Sequence, residues 1–331
     1  FLKKLLINSF PPPLPPPPLR PLFPPFFLPL PSFFYPFFGK NSMPSIQDYA
    51  EEGDYLPDVL TTLALDYLQE VKDTNFFLFL SYYAPHVPIE AKDSLVQKYQ
   101  NKTRKNPSDT LPNVHYAAMV EAIDINVGRV LQKLEQLGLE EETLVVFSSD
   151  NGGLHVQEVP AFAKHTPPTT NFPLRAGKGY LYEGGIREPL ILQWPGKVSP
   201  QVSATPVIHQ DFFPTMARLI GAEEQGRGEA DWLNLPEAQP DSSRSLFWHV
   251  PHYTPQGGKP ATAMRKGAFK LIEFYETGEY ELYNLSRDLG ETENLMEHEL
   301  EIAASMKAEL QRWKESSGAK LPEPNPNYEG E

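Results

Sequence analysis

Three short segments carry side chains whose types and spacing suit chemistry on an anion. Ser148-Ser149-Asp150-Asn151-Gly152-Gly153 sets a carboxylate beside a side-chain amide oxygen, followed by two glycines that let the backbone turn away. Adjacent oxygen donors of this kind suit a hard cation such as Ca²⁺, although Asp-Asn-Gly-Gly also makes an ordinary turn. Ser81-Tyr82-Tyr83-Ala84-Pro85-His86-Val87-Pro88 holds His86 between two prolines that stiffen its loop. An imidazole fixed there can donate to an anion or protonate a leaving oxygen; a single loop histidine can equally be structural. In the stretch from Leu174 to Pro189, Lys178 is flanked by glycines, and an ammonium on such a loop is a point-charge clamp for an oxyanion. In an acidic chain, a cation site, His86 and Lys178 together form a local positive focus.

The elements that must position these segments are readable from hydrophobic pattern. The His86 segment directly follows Phe76 to Leu80, the Asp150 segment follows Thr143 to Phe147, and the Lys178 segment leads into Pro189 to Trp194. These continuous apolar runs have the length of strands buried on both faces. Between them, Leu56, Val59, Leu60, Leu63 and Tyr67 recur at helical spacing behind Pro57, and Tyr116, Val120, Ile123, Val127, Val130, Leu134 and Leu137 form a second stripe ending at Gly138. Asp211 to Ile220 reads as a short helix with an Asp cap and Gly221 as terminator. Strands alternating with helices predict an α/β fold with a mostly parallel sheet covered by helices, its site at the carboxyl ends of the strands. After a polar connection the pattern changes to short strands at Ala268 to Phe274 and Tyr280 to Leu285 and a helix around Leu300 to Trp313, a smaller α+β unit.

Other polar residues lie close to these segments. Arg175, His155, His165, Thr170 and Asn171 fall between two site loops, where they can line a substrate pocket or be solvated surface. His249 and His252 can reach the cleft from the second unit or pack beside Trp248. Arg187 and Glu188 are expected to form a structural pair. Asn101-Lys102-Thr103 and Asn284-Leu285-Ser286 fit the glycosylation sequon, a triplet that also arises by chance.

The 331 residues include 29 Lys plus Arg against 43 Asp plus Glu, a formal charge of −14, which argues against nucleic acid as a partner. There is no Cys, so a disulfide framework, a thiolate metal site and a cysteine nucleophile are all excluded. Prolines crowd between Pro11 and Pro36 among Phe and Leu, interrupting any helix that would span a membrane. Residues 1–40 therefore read as a Pro/Phe-rich low-complexity segment, either a polyproline-like linker or sequence foreign to the domain, with no clear signal peptide.

The helix opening at Asp54-Tyr55-Leu56-Pro57-Asp58, the APHVP loop, SDNGG and LRAGKGYLYEGGIREP occur in the order in which they resemble the sulfatases of the alkaline-phosphatase-like superfamily. LFWHVPHY, MRKGAFKLI and ELYNLSRDLGETENL are similar to that family's small C-terminal subdomain. The resemblance implies an alkaline-phosphatase-like α/β fold with residues 41–242 as the C-terminal part of a catalytic domain and 243–331 as a subdomain with a short antiparallel sheet. It implies a Ca²⁺-dependent sulfuric ester hydrolase acting on a sulfated carbohydrate or aryl sulfate in an extracytoplasmic compartment. Asp150 and Asn151 would be metal ligands. His86 would contact the sulfate and protonate the leaving alcohol, and Lys178 would grip a sulfate oxygen; Arg175, Asn171 and His252, from their places near these segments, are the further substrate-binding candidates.

Two family features are missing from this sequence: the pair of acidic metal ligands and the Cys-x-Pro-Ser-Arg motif whose Cys becomes formylglycine, the nucleophile. Ser42-Met43-Pro44-Ser45 mimics the serine form of that motif, but Ile46 stands in place of Arg. Two functions stay open on this reading. One is a sulfatase seen as a truncated chain, inactive alone, with uncovered apolar surface. The other is a non-catalytic anion- or sugar-binding remnant.

Overall fold

The structure, a computed structural model, describes residues 32–35, 37, 46, 48–102, 113–222, 244–323 and 325–326. Its first core forms where helix α1 (Leu56–Val71) meets α3 (Val114–Gln136), with α2 (Asp93–Gln100) alongside. Pro57 sits in the first turn of α1, where its missing N–H costs no hydrogen bond. Asn113 caps α3 by accepting from the backbone N–H groups of His115 and Tyr116 at 3.1 and 3.2 Å. Leu56, Val59, Ala64 and Leu68 of α1 are buried, as are Ala118, Met119, Ala122 and Asn126 of α3. Asn126 ties the two helices by donating to Asp58 Oδ1 at 2.8 Å. The stripe expected on α3 is met in part: Leu134 is buried and Tyr116 and Ile123 pack on the core, but Val120 is exposed, and Ala118, Met119, Ala122 and Asn126 beside the stripe are buried instead.

Part of the Phe-rich leader belongs to this core, contrary to its reading as sequence foreign to the domain. Phe33 and Phe37 are fully buried against Tyr55, Ile89 and Met119. Phe33 O accepts from Leu56 N at 2.8 Å, and Tyr35 N donates to Asp54 O at 2.9 Å. Residues 1–31, Ser42-Met43-Pro44-Ser45, Thr103 and most of the polar connection before Arg244 lie outside the described residues.

Strands β1 (Val145–Ser148) and β2 (Leu190–Gln193) pair antiparallel, with Val145 opposite Gln193 and Ser148 opposite Leu190. Between them in sequence lies a one-turn helix, α4 (Glu183–Ile186). Phe76 to Leu80 is extended but is not a strand buried on both faces. Among the described residues it joins no ladder, and Phe77 and Phe79 are exposed; an apolar run becomes a sheet strand only beside a partner for its N–H and C=O groups. Asp211, expected to cap the helix α5 (Phe212–Leu219) directly, ends a preceding 3₁₀ turn instead. Its fully buried carboxylate accepts from Ile208 N at 2.9 Å and pairs with Arg244 at 2.6 Å.

The second unit is a four-stranded antiparallel sheet in the order β3 (Ser245–Val250), β4 (Ala261–Lys266), β5 (Phe269–Phe274), β6 (Tyr280–Asn284), followed by α6 (Leu300–Ser317). One face of the sheet packs Met264, Leu271 and Leu282 against Ala303, Met306 and Leu310 of α6. The other face buries Ala261, Ala263, Ile272 and Tyr283 against Leu181 and Tyr182 of the Lys178 segment. The sheet therefore has two partners, its own helix and a site loop. Among the described residues, no helix is long and apolar enough to cross a membrane.

Candidate active site

The two side chains expected to do the chemistry meet. Lys178 Nζ lies 2.7 Å from His86 Nε2, and His86 Nδ1 lies 2.9 Å from the carbonyl of Val87. A carbonyl only accepts, so Nδ1 carries the proton of the neutral ring and Nε2 accepts from the ammonium. This fixes the tautomer and aims Nε2 at the place where Lys178 presents its remaining donors. His86 is exposed on a loop whose Ala84–Pro85 and Val87–Pro88 peptides are both cis.

The backbone around Lys178 is pinned to the Asp150 segment. Lys178 N donates to Gly153 O at 3.2 Å and Gly152 N to Gly185 O at 3.2 Å. A Cβ on Gly152 would stand 1.7 Å from Gly184 O, so the approach of the two loops demands glycine there. Asn171 completes the lock: its Oδ1 accepts from Gly153 N at 3.1 Å, and its Nδ2 donates to Gly153 O and Ala176 O, each at 2.9 Å. Asn171, expected to bind substrate, directs its amide to the backbone of both loops.

Arg175 is likewise redirected. Its Nη1 donates to Tyr283 OH and Glu291 O at 2.8 Å each, and its guanidinium lies 3.8 Å over the Tyr182 ring. It ties the loop to the second unit because the Tyr283 hydroxyl and the Glu291 carbonyl there accept from it, while the loop's own Tyr182 ring gives it a flat seat. His252 is exposed on the loop after β3, the same loop whose Thr254 donates to Gly179 O at 3.0 Å and whose Gln256 O accepts from Tyr180 OH at 3.0 Å. His249 stays inside the second unit, with Nδ1 2.6 Å from Thr262 Oγ1 and Nε2 2.9 Å from Lys320 O, beside Trp313. His155 sits against Tyr180 with a buried Nδ1 that has no hydrogen-bond partner, and burial lowers its pKa.

Asp150 is exposed at the end of β1, and Asn151 Nδ2 donates to Gly152 O at 3.1 Å, which leaves its Oδ1 for a ligand. Continuing the β1–β2 register two residues past Ser148 and Leu190 brings Asp150 opposite Glu188. Glu188 does not form the expected pair with Arg187, whose Nη1 reaches Glu183 Oε2 at 3.4 Å four residues back along the helical turn. The Glu188 Oε1 is buried with no hydrogen-bond partner, and burial together with the charge of Asp150 pushes its pKa up to about 8. Asp150 and the unpartnered Glu188 Oε1 are oxygen donors of the kind a hard cation takes, and a bound cation would favour the ionised form of Glu188. They make only part of a coordination shell, since no cluster of three or more His, Cys, Asp or Glu in a metal-binding arrangement occurs among the described residues. The sequence pattern set Glu188 beside Arg187 as a structural pair; the strand register sets it beside Asp150.

The fold is alkaline-phosphatase-like α/β, with its site loops at the ends of a strand pair and braced by a small antiparallel subdomain. The chain belongs to the sulfatase family: residues 24–222 match the Sulfatase model, and residues 176–316 match the model for the C-terminal region of N-sulphoglucosamine sulphohydrolase. A sulfatase of Formosa agariphila is 36% identical over 289 residues, covering 78% of this chain and 50% of that protein. The steryl-sulfatase of Mus musculus is 43% identical over 140 residues, 42% of this chain and 22% of that protein. The crystal structure of Ps i-CgsB in complex with k-i-k-neocarrahexaose superposes with a TM-score of 0.66 at 28% identity, covering 80% of this chain and 56% of that one. The chain spans about half the length, or less, of the curated relatives it matches.

Proposed function

We propose that this chain supplies the sulfate-gripping half of a sulfuric ester hydrolase acting on a sulfated carbohydrate or aryl sulfate in an extracytoplasmic compartment. Residues 41–242 would be the C-terminal part of its catalytic domain and residues 243–331 its C-terminal subdomain. The observation that carries the proposal is the 2.7 Å contact of Lys178 Nζ with His86 Nε2, with the Val87 carbonyl holding Nδ1. A sulfate group entering between the two side chains takes a hydrogen bond from the ammonium. Nε2, released from the ammonium, would take up a proton from solvent, and the imidazolium so formed would pass that proton to the bridging oxygen as the S–O bond breaks and the alcohol departs, which returns the ring to its Nδ1–H form. Asp150 and Asn151, with Glu188 beside them, would hold part of the shell of a Ca²⁺ ion, which supplies charge neutralisation for the sulfate oxygens when bound.

The sequence has no Cys for the family's Cys-x-Pro-Ser-Arg motif, and Ile46 stands where its serine form needs Arg, so on this reading the chain carries no formylglycine nucleophile. The 331-residue protein is therefore expected to bind inorganic sulfate but not to turn over an aryl sulfate. Calorimetry with inorganic sulfate tests the grip: Lys178→Ala and His86→Ala should each weaken binding by about tenfold, the worth of one charge-assisted hydrogen bond. Sulfate binding that is indifferent to both substitutions would overturn the assignment. Binding of an unsulfated sugar with equal affinity would favour the non-catalytic sugar-binding module.

A further inference from the structure

The loop that carries Lys178 has little structure of its own beyond the four residues of α4, and much of what holds it comes from the second unit. The deepest of these contacts is ionic. Lys270 on β5 is fully buried, and its Nζ lies 3.0 Å from Glu183 Oε1 and 2.9 Å from Glu291 Oε1. Glu291 Oε2 accepts from the Glu183 backbone N–H at 2.6 Å. With Arg187 on the other oxygen of Glu183 at 3.4 Å, two cations balance two carboxylates. Glu183 and Glu291 are as buried as Lys270, and Glu291 adopts φ +51°, a left-handed conformation that a non-glycine residue keeps only when its surroundings hold it there.

Such a set is a costly way to gain stability, because apolar side chains of the same volume would often serve as well or better. What it fixes is position. Glu183 opens α4, and the next two residues close the loop: Gly184 N donates to Arg175 O at 2.9 Å, while Gly185 O accepts from Gly152 N at 3.2 Å. The ends of the Lys178 loop and the Asp150 turn are therefore registered from the residue that Lys270 and Glu291 grip. We propose that Lys270 is a positioning residue for sulfate binding: it neutralises Glu183 and Glu291 so that the second unit seats the loop with Lys178 against His86, without touching either. The proposal rests on the reading of Lys178 and His86 as the sulfate grip.

The test uses the whole chain and compares Lys270→Met with Lys314→Met. Lys314 makes a nearly buried ion pair with Glu273 at 2.6 Å inside the same unit and involves no residue of the loop. Glu291→Gln, which removes one of the two carboxylate charges around Lys270 but keeps the shape, serves if Lys270→Met does not fold. Hydrogen exchange should show lost protection at residues 175–187 in Lys270→Met or Glu291→Gln, with 261–266 unchanged, and no such loss in Lys314→Met. Inorganic sulfate should bind about tenfold or more weakly to the Lys270 or Glu291 variant, the scale on which displaced groups lose effect, while Lys314→Met binds as the parent does. Unchanged exchange at 175–187, or equal loss of sulfate affinity in Lys314→Met, would overturn the positioning role. If the parent chain itself fails to bind sulfate, the grip assignment falls, and the exchange comparison still decides whether Lys270 seats the loop.

Discussion

His115 and His165 stack with ring centroids 3.6 Å apart, one in the first turn of α3 and the other on the loop between the site segments. Both have lowered pKa values, chiefly through burial, with the charge of Lys164 acting on each and, for His165, the neighbouring His115. Asp93 opposes the shift at His115 without reversing it. A histidine whose folded pKa lies below its unfolded value binds more protons when unfolded, so its contribution is complete above about pH 6.5 and is lost as pH falls below it. The thermal midpoint should therefore drop between pH 7 and pH 5. A His115→Gln, His165→Asn variant should flatten that slope, Asn being chosen because His165 has φ +62° and Asn tolerates a left-handed backbone. Melts recorded across this range decide it, and an identical slope in the variant would remove the pair as the cause. At this scale Lys178, His86, Asp150 and Asn151 were legible because each stands in a short segment of unusual composition beside an apolar run. Asn171 and Arg175 were legible as polar residues near the site but not as braces, since their partners lie 5 to 116 residues away.

The site is a junction of loops, and what joins them is backbone. Asn171→Ala removes three hydrogen bonds and leaves Gly153 and Ala176 with unmet groups, an expected loss of about 1–3 kcal/mol. Gly152→Ala places a methyl where Gly184 O already stands and should cost more. Denaturant unfolding measures both, and a Gly152→Ala variant as stable as the parent would mean that the two loops do not meet as described. Helices α1 and α3 were readable from period, Pro57 and Gly138, which act locally. The β1–β2 direction was not: a continuous apolar run reports burial, and neither its partner nor its orientation is written in its own residues. The same limit explains Phe76 to Leu80, where the composition of a central strand is present and the ladder is not. On α3 the larger apolar side chains marked a face that is only partly the buried one, since Ala118, Met119, Ala122 and the polar Asn126, which donates to Asp58 on α1, are buried beside it.

At the scale of the molecule, large apolar side chains among the described residues are left uncovered outside the second unit's two cores. Phe77 and Phe79 are 74% and 81% exposed on one side of the same extended segment, and Phe147 and Ile191, cross-strand partners, are 37% and 59% exposed. Scattered exposed apolar residues are ordinary, but large side chains aligned on an extended segment with unpaired backbone are a template for another chain. The net charge of −14 opposes close approach of two copies at low ionic strength, and salt screens that repulsion. The isolated chain should therefore associate with rising concentration, and more strongly at high salt than at low. Replacing Phe77 and Phe79 by Ser and Ile191 by Thr should reduce association while leaving the melting transition of the second unit unchanged, because none of the three residues contributes to its two cores. Light scattering on size-separated protein at two salt concentrations reads the outcome. A parent chain that stays a single monodisperse monomer under both conditions would show that these phenylalanines are covered in solution by the chain's own residues, and the uncovered-face account would have to be given up.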